Sequence, residues 1–461
     1  MTEVLSDSAL RDTLGASIRG RLIGPNDTDY DAARKLNNGM IDKRPRLIAR
    51  ARDVADVIAA VNAGREAGID IAVRGGGHNG PGLGSVDDGL VIDLTELRGV
   101  VVDPDERVAH VLGGSLLGDV DHATQPFGLA TALGVLSTTG VGGLTLGGGV
   151  GNLTRTLGLS IDNVLEADVV LADGSFVTAN EAKHPDLFWA LRGGGGNFGV
   201  VTRFAFRLSE IPTVVAGPML WTLDRGAEVL AWYGDFIKTA PDELNAWFGL
   251  MTVPPAPPFP DELQLQKVAG IIVCFAGDPA DADEALAPLR ALEPALDGTQ
   301  PMPMAALNSA FDPLFPAGEQ WYWRSQVVAE FSDDAIATNI EYAGTLPTWK
   351  SFTHIYPLSG AAERVGTGDT AWAARDGGFV QTIAGVDPDP ANARLVSDWA
   401  KSYSEAVQPY GSGGGYVNMM MDEGEERVRA IYGPNYDRLA QIKAEYDPDN
   451  LFHVNQNIKP A

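Results

Sequence analysis

The residues with the clearest chemical meaning are His78 and the glycines around it. His78 stands in the run Arg74, Gly75, Gly76, Gly77, His78, Asn79. Glycine there lets backbone approach a ligand with no Cβ in the way and adopts positive φ freely. Consecutive amides in such a loop form a nest for an anion such as a diphosphate. Two more clusters follow, one at Gly140, Gly142, Gly143, Gly147, Gly148, Gly149 and Gly151, the other at Gly193 to Gly196 with Gly199. Tight turns alone would also use glycine, and a lone histidine is more often structural than functional. A histidine that only fills a core, however, is not normally held in a polyglycine turn. Ring and amides together make sense if the loop wraps a phosphate while the imidazole reaches a reactive ring.

Two of the loops have the spacing G-x-G-x-x-G: Gly75, Gly77, Gly80 and Gly194, Gly196, Gly199. A dinucleotide site of the Rossmann kind needs a strand before the glycines and a helix N-terminus directly after them. The first loop follows an apolar strand but runs into Pro81-Gly82-Leu83-Gly84. The second has the order reversed, with an amphipathic helix over Pro185 to Arg192 before it and a strand over Val200 to Phe206 after it. NAD binding by that fold is disfavoured.

The elements that must position these loops are strands close together in sequence. Asp53 is placed to cap a helix carrying Val54, Val57, Ile58 and Val61, followed by a strand at Ile69 to Val73. Short strands are expected at Leu90 to Leu94, Val100 to Val102 and Val108 to Leu112, giving an α/β or α+β chain. At 461 residues the chain is long enough for about two or three folding units. Composition shifts near Leu208 to Pro218, and a glycine run at Pro409 to Gly415 precedes a helix-rich tail. The proline loop Pro254 to Pro260 and most tryptophans lie between them.

Composition excludes several roles. With a hydrophobic fraction of 45% and a charged fraction of 21% the chain reads as an ordinary globular protein. A net charge of −27 with scattered Lys and Arg opposes binding to nucleic acid or an anionic membrane. Cys274 is the single cysteine, so no intrachain disulfide or cysteine metal cluster can form, and no metal partner lies at ligand spacing from His78. The N-terminus MTEVLSDSAL has no apolar signal region and no segment has the length of a membrane span, so a soluble, cytoplasmic chain is expected. A homo-oligomer is compatible with all of this.

The motifs VRGGGHN, GLVIDL, GVGGLTLGGGVG, LGLSIDNV, DLFWALRGGGGNFGVV and YDPDNLFHVNQNI occur in this order. Together they resemble the bacterial branch of the berberine-bridge-enzyme-like FAD oxidases in the vanillyl-alcohol oxidase superfamily. The likeness covers about Pro45 to Phe206 and Tyr416 to the end; the middle resembles the family only through segments such as TAWAAR at Thr370 to Arg375. It implies an α+β fold in which a two-part PCMH-type FAD-binding domain, residues 1–210, holds an inserted substrate domain, residues 211–409, with an antiparallel sheet flanked by helices. Residues 410–461 would return to the FAD domain.

The resemblance also implies roles. His78 would carry FAD through a single 8α-histidyl bond, because Leu136 stands where many members have a second, cysteinyl link. Arg74, Gly75, Gly76, Gly77, Asn79, Gly82 and Leu83 would surround the cofactor together with Thr138, Thr139, Gly140, Gly142, Gly143, Gly148 and Gly151. Asp162, Asn163 and Val200 would approach its ribityl or adenine end, although a polar turn explains Asp162 and Asn163 equally well. Tyr416, Asn418 and Asn455 match family positions near the flavin ring. Thr139 matches the position that governs oxygen access, where a small β-branched residue goes with oxidases.

The base departs from the family pattern. Alcohol and sugar oxidases of this kind carry a tyrosine where this chain has Met419, and a hydroxyl needs such help to lose hydride. Three readings stay open: an amine substrate that needs no base; help from elsewhere, by His354 or Tyr356, by Tyr322 or the Trp-flanked polar groups of WYWRSQ, or by Gln381 through hydrogen bonding; or Tyr416 itself. Aromatic packing on a sheet face is the simpler reading of His354 and Tyr356. Trp321, Tyr322, Trp323, Trp372 and Phe379 suit a sheet over the flavin, with alternation sending half of Trp321 to Glu330 inward. The function implied is an FAD oxidase that takes hydride from a small amine or alcohol and reduces O2 to H2O2. Alternatives are a dehydrogenase with another acceptor and a flavin-binding protein without catalysis.

Overall fold

The computed structural model describes residues 7–461; the first six positions of the N-terminal stretch read above for a targeting signal lie outside the described residues. Four strands form the first sheet: Arg21–Ile23, Leu47–Arg50, Leu90–Asp93 and Ile71–Arg74, in that spatial order. The last three are mutually parallel, so the chain must cross over between them. Helix Val54–Ala67 makes the first crossover. Asp53 caps it by accepting from the Asp56 amide, Gly68 ends it in the left-handed region at φ 61°, and its apolar face (Val57, Ala60, Val61) is fully buried.

A five-stranded antiparallel sheet follows, ordered Val100–Asp103, Val108–Leu112, Val200–Arg207, Val164–Val170, Phe176–Ala179. Helix Pro185–Leu191 precedes the third glycine loop and strand Val200–Arg207 comes after it, the order that argued against a Rossmann site.

The third sheet has eight strands and is antiparallel. Its long members are Val214–Thr222, Leu244–Thr252, Lys267–Phe275, Gln320–Val328, Phe352–Pro357 and Phe379–Asp387. Alternation gives each strand two faces. One face packs Phe248, Ile271 and Phe379 against helices Gly226–Thr239 and Asp333–Gly344. The opposite face turns Trp247, Ile272 and Tyr356 toward Val150, Leu159 and Tyr416, which belong to the glycine-rich part and the tail. The chain is therefore α+β, with the sheet laid over the glycine loops.

The tail helices Glu425–Tyr432 and Tyr436–Tyr446 return to the first part, where Ile431, Leu439 and Ile442 join Phe188, Trp189 and Phe204 in one core. Among the described residues no helix is long and apolar enough to cross a membrane.

Candidate active site

Strand Ile71–Arg74 ends at the floor of a long groove, and the glycine run begins there. Arg74 is 4% exposed and donates through Nη2 to Asp93 at 2.7 Å. Its Nε and Nη1 are buried without a partner although Arg74 borders the groove. Unpaired buried donors are costly and call for an acceptor.

The His78 loop and the second glycine loop touch through bare backbone. A Cβ on Gly140 would fall 2.3 Å from the Gly76 amide nitrogen, and one on Gly76 would fall 2.4 Å from that of Gly140. Only glycine at both positions permits this approach, and it brings Thr138 to His78 and Thr139 beside Gly76. The His78 imidazole bonds the Thr138 backbone. Burial pushes its pKa down to about 4, against the opposing pull of that bond and of Asp312. At neutral pH the ring is uncharged and keeps one nitrogen lone pair.

The third glycine loop forms the far wall, with Gly195, Gly196, Asn197 and Gly199 bordering the groove. The tail sews it in place. Asn455 Nδ2 donates to the Gly196 carbonyl at 3.2 Å, and Lys443 Nζ donates to the Asn197 carbonyl at 2.6 Å, to Asp447 at 2.6 Å and to the Phe452 carbonyl at 2.9 Å. Asn455 Oδ1 is buried without a donor. Around Gly143 and Gly196, both on the groove, the place of a Cβ is open space. A groove with glycine walls, open space where Cβ atoms would stand, and unpaired buried polar atoms on the bordering Arg74 and Asn455 fits an elongated diphosphate-bearing cofactor such as FAD.

A second cavity lies under the eight-stranded sheet, and its walls are aromatic: Trp247, Phe311, Trp321, Trp323 and Phe352, with Trp321 and Trp323 stacked at 5.0 Å. It holds about 110 Å³ against about 270 Å³ for the groove, so the groove takes the larger molecule. The two spaces share Val135, Leu136, Trp323, Tyr356 and Met419 along a common seam.

Of the residues expected from sequence, Arg74, Gly75, Gly76, Gly77, His78, Asn79, Leu83, Thr139, Gly140, Gly142 and Gly143 border the groove, as do Tyr416, Asn418 and Asn455. Thr138 meets His78 through its backbone only. Others stand elsewhere. Gly82, Gly148 and Gly151 are packing positions, where a Cβ would strike Ile41, the Trp372 ring and the Leu133 carbonyl. Asp162 is held by Arg375 Nη1 and Nη2 at 2.8 and 2.7 Å, Asn163 donates to the Leu157 and Leu159 carbonyls, and Val200 sits in the core beside the first sheet while its neighbour Val201 faces the groove.

The candidate catalytic residues separate in the same way. Gln381 borders neither space; it accepts from Gln326 at 2.9 Å and donates to Asn339 at 2.6 Å on the helix side of the sheet. Tyr416 is 1% exposed, and its oxygen accepts from the Val150 amide at 3.2 Å and Asn418 Nδ2 at 3.0 Å, which leaves it a donor rather than a base. His354 borders the aromatic cavity, with Nδ1 3.1 Å from the Tyr356 hydroxyl. Among the other aromatics, Tyr322 points to the opposite face beneath Arg324 and Lys401, Phe379 packs on Tyr233, and Trp372 packs on Tyr416. Gly195, Gly196, Asn197, Gly199, Val201 and Tyr432 were not expected on the groove; the glycine density of their loop was the available signal.

Residues 45–180 match the FAD binding domain family and residues 415–459 the family described as berberine and berberine like. An uncharacterized FAD-linked oxidoreductase of Bacillus subtilis (strain 168) is 30% identical, the match covering 96% of this chain and 97% of that one. (R)-6-Hydroxynicotine oxidase of Paenarthrobacter nicotinovorans is 31% identical over 96% of this chain and 97% of its own length. Among solved structures, 6-hydroxy-D-nicotine oxidase from Arthrobacter nicotinovorans superposes with a TM-score of 0.85 at 28% identity, covering 96% and 99% of the two chains. Xylooligosaccharide oxidase from Myceliophthora thermophila, in complex with xylobiose, does so with a TM-score of 0.85 at 26% identity, covering 98% and 99%.

Proposed function

The chain belongs to the berberine-like FAD-linked oxidoreductases, and from that premise we propose that it is an oxidase that holds FAD by one covalent bond to His78. Its substrate is a small amine or alcohol, and its electrons pass to dioxygen, giving hydrogen peroxide. The observation that carries this reading is the seam, where the glycine groove opens onto the aromatic cavity through Leu136, Tyr356 and Met419. FAD bound in the groove supplies the hydride acceptor. Residues 1–210 and 410–461 hold it, and residues 211–409 cover the substrate.

Each residue has a task in this scheme. Arg74 and the loop amides meet the diphosphate. His78, uncharged because it is buried, has a lone pair free to form a bond. Leu136 supplies no second link. Thr139, small and β-branched, leaves room at the groove for dioxygen.

The aromatic cavity narrows the substrate. Most of the polar groups that border it are engaged, Trp247 Nε1 with Asn152 at 3.1 Å, Lys350 with the Leu314 carbonyl at 2.6 Å and with Glu319, and Ser351 with the Val386 carbonyl at 3.3 Å, whereas Trp321 Nε1 is buried without a partner. Every sugar hydroxyl left unpaired there would cost about 1–3 kcal/mol. A ring-bearing substrate with one polar group suits the cavity better than an oligosaccharide. Met419 at the seam and the saturated Tyr416 oxygen leave no base on the tail side, which favours an amine, whose own lone pair can expel hydride.

Two measurements test the reading. The mass of the His78 peptide from denatured protein should be raised by one FAD, and Thr139→Leu should slow reoxidation of the reduced flavin about tenfold, an increase of about 1.4 kcal/mol in its barrier. An unmodified His78 peptide sinks the covalent bond. Reoxidation of the unsubstituted protein no faster than that of free flavin favours a dehydrogenase instead.

A further inference from the structure

We propose that Tyr356 is the catalytic residue that meets the reacting nitrogen of the substrate, and that His354 is the positioning residue that makes the Tyr356 oxygen an acceptor. This rests on the oxidase reading above and goes beyond it by placing substrate polarity on the sheet rather than on the tail. Among the described residues five border both spaces: Val135, Leu136, Trp323, Tyr356 and Met419. Tyr356 alone of these has a side-chain oxygen; indole only donates, and a thioether accepts weakly. Any strong hydrogen bond that a side chain accepts from a substrate at the seam therefore falls to Tyr356.

The strand Phe352–Pro357 explains how the hydroxyl is aimed. Phe352, His354 and Tyr356 alternate onto one face. Phe352 stacks on the His354 ring at 4.0 Å and Trp247 lies against it at 4.4 Å, so the ring is fixed between them. Its Nδ1 then stands 3.1 Å from the Tyr356 oxygen. Burial drives the imidazole pKa down to about 3, so the ring is neutral and Nδ1 can accept the tyrosine proton. With its hydrogen turned to His354, Tyr356 offers lone pairs to the seam.

That polarity matters to an amine. A tyrosine that donated to the nitrogen would occupy the lone pair needed to expel hydride. One that accepts the N–H of a neutral secondary amine orients the nitrogen and leaves the lone pair free. The Cα–H bond then breaks with both electrons leaving as hydride to FAD, and the nitrogen lone pair closes the C=N bond. The iminium product keeps its N–H on Tyr356. FAD held by the groove would supply the hydride acceptor, and dioxygen, taking up that hydride equivalent and a proton from water, would leave as hydrogen peroxide.

The test compares the flavin-loaded protein with Tyr356→Phe, His354→Phe and His354→Gln, using N-methylbenzylamine as probe at about pH 9, where an appreciable fraction of such an amine is neutral. Binding is read as a flavin difference spectrum and chemistry as the rate of anaerobic bleaching. Tyr356→Phe should slow bleaching about a hundredfold through lost orientation while weakening binding far less. His354→Phe, which keeps the ring packing, should slow it about tenfold, and His354→Gln, which restores an acceptor, should recover part of that loss. Bleaching by Tyr356→Phe at the unsubstituted rate overturns the proposal, as does a protein whose flavin spectrum responds to xylobiose and not to the amine, or to neither. A protein that binds no FAD sinks the oxidase reading itself. A retained visible flavin spectrum certifies folding of each variant; if Tyr356→Phe does not fold, His354→Phe carries the test, with unchanged bleaching as the overturning result.

Discussion

The groove and the aromatic cavity meet at one seam but are built on opposite plans. The groove is lined by short runs of neighbouring residues, Arg74 to Asn79, Gly195 to Asn197 and the tail from Phe452, and much of its surface is backbone. The cavity is lined by single side chains taken from strands and loops between Val135 and Met419, and nearly all of it is ring and aliphatic carbon. Where backbone does the binding, glycine is required and the requirement is local. Where side chains do it, strand register decides which residue arrives.

The sharpest way to break this contrast is to add one methyl group to the groove. In Gly140→Ala the new carbon would fall 2.3 Å from the Gly76 nitrogen, a backbone atom that cannot yield without parting the two loops. The expected result is complete loss of bound flavin, read from the visible spectrum of the purified protein. The same methyl group added in the cavity by Val253→Ile, at a residue that borders the cavity and not the groove, should leave the flavin in place. Equal flavin content in Gly140→Ala and the unsubstituted protein would mean that the loops do not need their backbone contact.

Lys443→Met comes next in size. Lys443 and Asp447 are both 0% exposed, and the ammonium group also holds two carbonyls behind the groove. Removing it leaves a buried carboxylate without its cation, which costs about 3–5 kcal/mol. Denaturant titration should show that loss, accompanied by weaker retention of FAD, since Asn197 and Phe452 stand on the groove. A loss of stability with unchanged cofactor retention would show that the tail anchors the core without shaping the groove.

The same contrast explains what could be read in the sequence. The helix between Asp53 and Gly68 was legible because both of its end signals are local, and the His78 loop because its glycines are consecutive. The loop at Gly195 to Gly199 carries the glycine signal without the helix that a Rossmann site demands after its glycines. That geometry is indeed absent, yet the loop borders the groove all the same. Asp162 could not be judged because its partner is Arg375, 213 positions away. Gln381 stands away from both spaces for a reason of register. It pairs with Gln326, so both share the face turned to the helices, whereas Trp323 and Tyr356 take the other face. A shift of one residue would have exchanged the two faces, and nothing in the local sequence fixes that parity.

The smallest effect concerns the polar contacts that tie the two regions together. Asp121 lies on the cofactor side, is 7% exposed and accepts from Asn308 Nδ2 at 2.9 Å; Asn308 in turn accepts from Asn152, which accepts from the Trp247 indole of the cavity wall. Burial pushes the Asp121 pKa up to about 6, opposed by the Asn308 bond and reinforced by Asp312. The folded-state value is therefore above the unfolded one, and between about pH 4 and pH 6 the folded chain holds a proton that the unfolded chain has lost. Stability from this group is present below that window and is lost as pH rises through it, a deficit on the order of 2–3 kcal/mol at neutral pH. Asp121→Asn keeps an oxygen for Asn308 and cannot ionise. Urea unfolding across that range should show the variant and the unsubstituted protein equally stable near pH 4 and the variant more stable at pH 7 by that amount. If the variant is instead weaker at pH 7, Asp121 is an ionised anchor, and the junction between groove and cavity depends on its charge rather than on the amide chain leading to Trp247.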